Sequence, residues 1–164
     1  VLVRLRWAAM ATVVNVKIKD LGLADEIKFA QELDGAQIKI GIQADEKGEY
    51  ENGASVLDVA AWNEFGTNKI PSRPFIRQCF SDNLPALEKG LRIVAVKVLN
   101  GEEPKIALSQ LGQWYQDKQK ECLLHFPWKP NAASTVKAKG SSKPLVDTSQ
   151  LVNSIRYKVE TNAK

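Results

Sequence analysis

Between Trp62 and Phe75 the chain reads WNEFGTNKIPSRPF, and this stretch leaves the backbone few choices. Gly66 is a helix terminator, because glycine adopts the positive-φ conformations that close a helix at no steric cost. Pro71 and Pro74 exclude a helix interior and force the residues before them, Ile70 and Arg73, into extended geometry. A helix therefore ends at Gly66 and an extended crossing follows it. A second segment, KPLVDTSQLVNSI from Lys143 to Ile155, is equally dense in turn and capping residues. Neither segment holds a plausible catalytic group. Both read as devices that fix loops in defined shapes, which points to contact rather than chemistry.

The rest of the chain supplies elements for these segments to join. Val14, Val16 and Ile18 alternate with Asn15, Lys17 and Lys19, predicting a half-buried strand over 12–19. Leu23, Ile27, Ala30 and Leu33 have helical spacing, and Asp34-Gly35 stops that helix. Ile38, Ile40 and Ile42 alternate in a strand over 37–43. The polar run 44–54 is a surface loop or hairpin tip, and Ser55 with Asp58 resembles a capping box for a helix that ends at Gly66. That helix is expected to bury Val56, Val59 and Ala60. The stretch from Ile70 to Phe80 is expected to be an ordered crossing or short strand. A helix then starts at Ser81 or Asp82 with Pro85 in its first turn, and runs to about Leu99 on Leu84, Leu87, Leu91, Val94 and Val98. Another helix runs from Pro104 to about Leu124. Residues 126–143 form a long loop, Asp147 or Thr148 caps a short helix, and residues 154–160 close as a strand. The expected fold is α+β, a small, mostly antiparallel sheet packed by about four helices with long loops.

Length and composition fit one globular domain: 164 residues, 44% hydrophobic and 26% charged. Met10 is a natural start, so residues 1–9 are expected to be an extension and residues 10–164 the domain. The net charge of +4 does not by itself argue for a nucleic-acid ligand. The charge is uneven, however. From Pro127 onward seven basic residues (Lys129, Lys137, Lys139, Lys143, Arg156, Lys158, Lys164) face only Asp147 and Glu160. This end either meets an acidic partner surface or DNA, or is a solvated face.

Little in the sequence suggests catalysis. His125 is the only histidine, placed at a helix end among apolar residues. The glycines at 41, 48 and 53 lead into no phosphate-binding sequence. The carboxylates of Asp45, Glu46, Glu49 and Glu51 cluster in one loop without calcium-loop spacing. Cys79 and Cys122 read as buried free thiols. No enzyme activity, metal, cofactor, small-molecule substrate or membrane span is expected. Glu64 is expected to hold backbone amides near the turn or to pair with Arg73. Phe65 and Phe75 are expected to anchor the two sides of the turn in the core, and Trp62 and Trp128 are either core or interface.

At this level of detail the two segments support a family resemblance. Ala60 to Phe75, AAWNEFGTNKIPSRPF, resembles the pattern A-x-x-N/H-E-F-G-T followed by I-P-x-R-P-F of small morphogenesis proteins of tailed bacteriophages. These are the neck and tail-completion (head–tail connector) proteins of lambda-like phages and the Mu-type virion morphogenesis proteins. Trp128, Asn131, Thr135 and Lys139, followed by Lys143 to Ile155, are similar to the second pattern of those families, in the same order. Ser149 departs from it, standing where the family usually has glycine between Thr148 and Gln150. A serine is still compatible with a helix N-terminus.

The resemblance implies a non-enzymatic virion protein, made in the bacterial host cytoplasm and placed at the head–tail junction or tail end. It implies a homo-oligomeric ring that docks to adjacent connector, head-closure and tail proteins, with incidental DNA contact in the channel. A tail terminator capping the tail tube is the alternative within the class, and a DNA-contacting prophage protein is the alternative outside it. Trp62, Glu64, Phe65, Gly66, Thr67, Pro71, Arg73, Pro74 and Phe75 are then framework, as are Pro144, Leu145, Asp147, Thr148, Leu151, Ser154 and Ile155. The subunit interface is expected in the oppositely charged loops, at Asp45, Glu46, Glu49 and Glu51 and at Trp128, Lys129, Lys137, Lys139 and Lys143.

Overall fold

Two short strands, β1 (Gln37–Ile42) and β2 (Ile155–Glu160), come from distant parts of the chain and pair antiparallel. Their register follows from the alternation. Ile38 lies opposite Val159, Ile40 opposite Tyr157 and Ile42 opposite Ile155, so one face of the ribbon is apolar. The other face sets Lys39 opposite Lys158, and the Glu160 carboxylate bridges both ammonium groups. Hydrogen bonds to these two lysines hold the Glu160 carboxyl below the usual carboxylate range.

A computed structural model of the chain describes residues 23–146 and 148–161. Among them six helices join the two strands: α1 (Leu23–Leu33), α2 (Val56–Phe65), α3 (Phe75–Leu99), α4 (Pro104–His125), α5 (Ala133–Lys139) and α6 (Gln150–Asn153). The fold is α+β, as expected, with the two later strands within a residue of their expected bounds. The strand expected over 12–19 and the extension expected over 1–9 lie outside the described residues.

The apolar face of the ribbon lies on α4. Gly112 makes that approach possible. A Cβ at this position would sit 2.6 Å from Cδ2 and 3.0 Å from Cγ of Tyr157, and 3.2 Å from Cγ2 of Ile38. Gln116 on the same helix accepts the Tyr157 backbone N–H at 2.9 Å. Two cores flank this contact. One joins Val56, Ala60, Phe75, Leu123, Leu145, Leu151, Val152 and Ile155, and so gathers both sequence motifs. The other joins Val94 and Val98 of α3 to Ala107, Leu108 and Leu111 of α4, with Phe29 and Leu33 of α1 packed on it.

Several elements differ from the sequence expectation. The helix expected from Ser81 or Asp82 starts at Phe75, directly after Pro74, and carries Pro85 in its interior. Pro85 removes the helical donor for the Ser81 carbonyl, but Ser81 is exposed, so water can replace it. The expected loop over 126–143 contains α5, closed by Gly140 at φ 66°. Only Val136 gives that short helix an apolar residue of any size, so no periodicity announces it. In α1 the inward side chains include Phe29 and Leu33, while Ile27 and Ala30 are exposed. Val59, expected to be buried, is only half-buried, whereas Trp62, either core or interface by sequence, is exposed.

Cys79 is buried and Cys122 half-buried, both as free thiols. Burial, then their mutual interaction, pushes the Cys122 thiol up to about 12. Burial likewise raises Cys79.

The helix–sheet contact gives a direct test. Gly112→Ala gains about 1 kcal/mol of helix propensity but forces the ribbon off α4, a strain of typically ~1–3 kcal/mol. Because the nearest atoms include the root of the Tyr157 ring, strain is expected to win. Urea denaturation should show a net loss of up to about 2 kcal/mol.

Candidate functional site

The site is the junction where the two sequence motifs meet. It begins at α2. The Ser55 side chain accepts the Asp58 backbone N–H at 3.1 Å and donates its hydroxyl to the Asp58 carboxylate at 2.6 Å. These bonds realise the expected cap. Val56, Ala60 and Glu64 then recur every four residues and are buried, which places a carboxylate on the inward side of the helix. Gly66 ends the helix at φ 79°. A Cβ there would lie 2.9 Å from the Ser72 nitrogen, so both conformation and space demand glycine. The Thr67 hydroxyl oxygen accepts the Lys69 and Ile70 N–H groups at 3.2 and 3.0 Å, and the Thr67 N–H donates back to the Ile70 carbonyl.

This turn brings α3 to Glu64. The Glu64 carboxylate accepts the backbone N–H groups of Ile76 and Arg77 at 2.9 and 3.1 Å, and Nε of Arg77 at 2.9 Å. Arg77 also donates Nη2 to the Glu64 carbonyl at 2.9 Å. A buried carboxylate thus occupies the positive end of the longest helix and satisfies two of its orphan donors. Proline at the N-cap has no side chain that could do so. Of the two roles expected for Glu64 it takes the first, holding backbone amides, and its arginine partner is Arg77 rather than Arg73.

Arg73 faces the other way. It is buried, and four donor contacts leave its guanidinium. Nε reaches the Lys129 carbonyl at 2.7 Å and Nη1 reaches Asn63 Oδ1 at 3.1 Å. Nη2 reaches the Pro130 carbonyl at 3.0 Å and Asn131 Oδ1 at 3.2 Å. Its backbone N–H bonds the Asn63 carbonyl. Burial lowers the Arg73 pKa, although an arginine stays charged. Asn131 extends the connection by donating to the carbonyls of Ser142 and Lys143 at 3.5 and 3.3 Å. The first motif is therefore tied through one side chain to the segment that opens the second. A cavity of about 300 Å³ lies between them, with Trp62, Ile70, Asn131, Thr135 and Leu145 among its walls.

The remaining motif residues divide by burial. Phe75 is fully buried and anchors the core as expected, with its carbonyl accepting a bond from the buried Gln119 side chain. Phe65 does not: it is 70% exposed, and the Arg77 guanidinium lies 5.1 Å from its ring centroid. Pro71 is exposed and Pro74 half-buried. In the second motif Leu145, Leu151, Ser154 and Ile155 are buried, Pro144 is half-buried and Thr148 is exposed. Asp147 lies outside the described residues.

Leu145 and Ser149 both have left-handed backbone, at φ 61° and 63°. Burial of the Leu145 side chain in the core offsets its strain. Ser149, rather than Asp147 or Thr148, is the N-cap of α6, and its side chain makes no capping bond. The departure noted in the sequence thus falls on a position whose backbone favours glycine.

The expected interface residues are partly engaged within the chain. Asp45 and Glu46 lie 3.0 and 3.7 Å from Arg156 of β2. Glu46 also accepts the Gly48 N–H. Glu49 forms an isolated bridge with Ser55, and Glu51 is exposed. Trp128 is half-buried on the first core, donates Nε1 to the Leu123 carbonyl at 3.0 Å and stacks on Phe126. Lys129 contributes its carbonyl to Arg73 while its side chain is exposed. Lys137, Lys139 and Lys143 belong to or follow α5, and Lys137 and Lys143 are exposed.

Asn63, Arg77 and Gln119 were missed by sequence reasoning. A start for α3 at Phe75 would have revealed Arg77, because it places that residue in the first turn beside a carboxylate. Nothing local marks Gln119. Among the described residues no group of three or more His, Cys, Asp or Glu side chains is placed to hold a metal ion, and no helix is long and apolar enough to cross a membrane. No protein-family model, curated protein or solved structure matches the chain.

The strain at Ser149 predicts a gain from glycine. Left-handed backbone costs a non-glycine residue about 1–2 kcal/mol, and glycine returns part of that through unfolded-state entropy. Ser149→Gly should raise stability by roughly 0.5–1 kcal/mol, or about 1–4 °C in Tm. Ser149→Ala should bring no gain, and calorimetry on the two variants distinguishes relief of strain from loss of a cap.

Proposed function

We propose that this chain is a structural subunit of a tailed-phage neck or tail-completion assembly, working through a homo-oligomeric ring and docking to neighbouring connector and tail proteins. The resemblance of the two motifs suggests the class. The observation that carries the mode of action is an apolar surface on the last part of α3 and the first turn of α4. Ile93, Val96, Leu99 and Ile106 are all about half exposed or more, with Leu99 at 71%. Ile93, Val96 and Leu99 lie off the stripe of α3 that carries Val94 and Val98 into the core. A long helix that is apolar on several sides is one that an assembly covers.

This surface shifts the proposed interface. The acidic loop 44–54 already bonds Arg156 of its own chain through Asp45 and Glu46. The exposed side chains of the α3–α4 surface that would be covered, Ile93, Val96, Leu99 and Ile106, are apolar and carry no ion pair to break. The exposed Lys137, in α5, then serves the contact with adjacent proteins rather than with the next copy.

The double variant Val96→Glu/Leu99→Glu separates assembly from folding, because both side chains are exposed. Light scattering and electron microscopy should show rings for the wild-type chain and monomers for the variant, with unchanged circular dichroism. A wild-type chain that stays monomeric at all concentrations would remove the support for ring assembly. Rings from the variant would move the interface back to the loops.

A further inference from the structure

A second apolar feature sits elsewhere on α3. Ile76, Phe80, Leu84, Leu87, Leu91, Val94 and Val98 recur at steps of three or four residues and form one stripe along the helix. Its C-terminal half is covered: Val94 and Val98 are buried in the second core. Its N-terminal half is not. Phe80, Leu84 and Leu91 are exposed and open onto a groove of about 500 Å³, whose other walls include Ile38 and Ile40 of β1 and Leu108 of α4.

The groove exists because the sheet is narrower than the helices below it. Packed helices lie ~8–10 Å apart, whereas paired strands lie about 4.8 Å apart. Two strands cover one helix, and the ribbon lies on α4. The neighbouring α3 is left bare beyond β1. Among the described residues β1 bonds only β2, so its other edge, bordering the groove, is unpaired. An unpaired edge beside an apolar trough is a strand-docking site.

We propose that this groove is the seat of the chain's own residues 12–19, added to the free edge of β1 as a third strand. Three observations select this occupant. Val14, Val16 and Ile18 supply an apolar face with the same two-residue period as Ile38, Ile40 and Ile42. Asn15, Lys17 and Lys19 would then join the charged outer face that already carries Lys39, Lys158 and Glu160. The reach is also short. Only residues 20–22 separate position 19 from α1, and only residues 34–36 separate α1 from β1. Helix α1 is held on α3 and α4 by Phe29 and Leu33, and Ala36, in the connection from α1 to β1, lines the groove. Eight residues extend ~26 Å, enough to run the length of β1.

This docking is independent of the ring proposal, which uses another side of α3, and its test does not require assembly. Hydrogen-exchange mass spectrometry on the full chain should find amides 12–19 exchanging on the order of 100-fold more slowly than an unstructured peptide. Val16→Asp should abolish that protection and Lys17→Asp should keep it. A photo-crosslinking residue, Val16→p-benzoylphenylalanine, should link to residues 80–91 within one chain, read as monomer mass after denaturation. Unprotected amides over 12–19 in the wild-type chain would overturn the proposal, whatever the variants do. A cross-link at dimer mass would overturn it too, because the groove would then hold the segment of a second copy.

Discussion

The Arg73 guanidinium, buried under the carbonyls of Lys129 and Pro130 and two asparagine side chains, is the interaction that the rest of this molecule is arranged around. Its donors meet Asn63 in α2 and Lys129, Pro130 and Asn131 beyond α4. A buried charge without a carboxylate partner is costly unless its donors are satisfied. Here they are met by oxygens from helix α2 and from the loop after α4, which local structure alone would not bring together. The 129–131 loop must close on Arg73 or leave a charge stranded in the core.

Glu64 does the complementary work nine residues earlier. It lies at the start of α3, where the helix presents free N–H groups, and Arg77 neutralises it from the same first turn. Arg73 and Glu64 therefore do not form the ion pair their types suggest. One fixes the incoming loop and the other fixes the outgoing helix. The Gly66 turn between them is compressed enough that a Cβ would strike the Ser72 backbone. The result is a rigid corner from which α3 projects with apolar side chains on more than one side.

Much of this was legible in the sequence where a period or a cap was present. The isoleucines of β1 and the alternation of Ile155, Tyr157 and Val159 gave both strands, and Ser55 with Asp58 gave the start of α2. What was not legible depended on partners distant in the chain. Pro85 looked like a helix start because the true start at Phe75 is capped by Glu64 from another helix rather than by its own residues. Phe65 looked like a core anchor, since no local signal separates an aromatic that turns inward from one that lies against an exposed arginine. The left-handed backbone at Leu145 accompanies burial of its side chain in the first core, and that at Ser149 lies on the surface. A serine or leucine in the sequence does not report it.

The central claim is that Arg73 couples the two motifs energetically rather than merely touching both. A double-mutant cycle with Arg73→Met and Asn131→Ala, followed by urea denaturation, measures that coupling directly. Side chains in one hydrogen-bond network interact by ~0.5–3 kcal/mol beyond additivity. A coupling of about 1 kcal/mol or more is predicted here, since the asparagine bonds both the guanidinium and the carbonyls of Ser142 and Lys143. Losses that add to within the error of the two single variants would contradict the account.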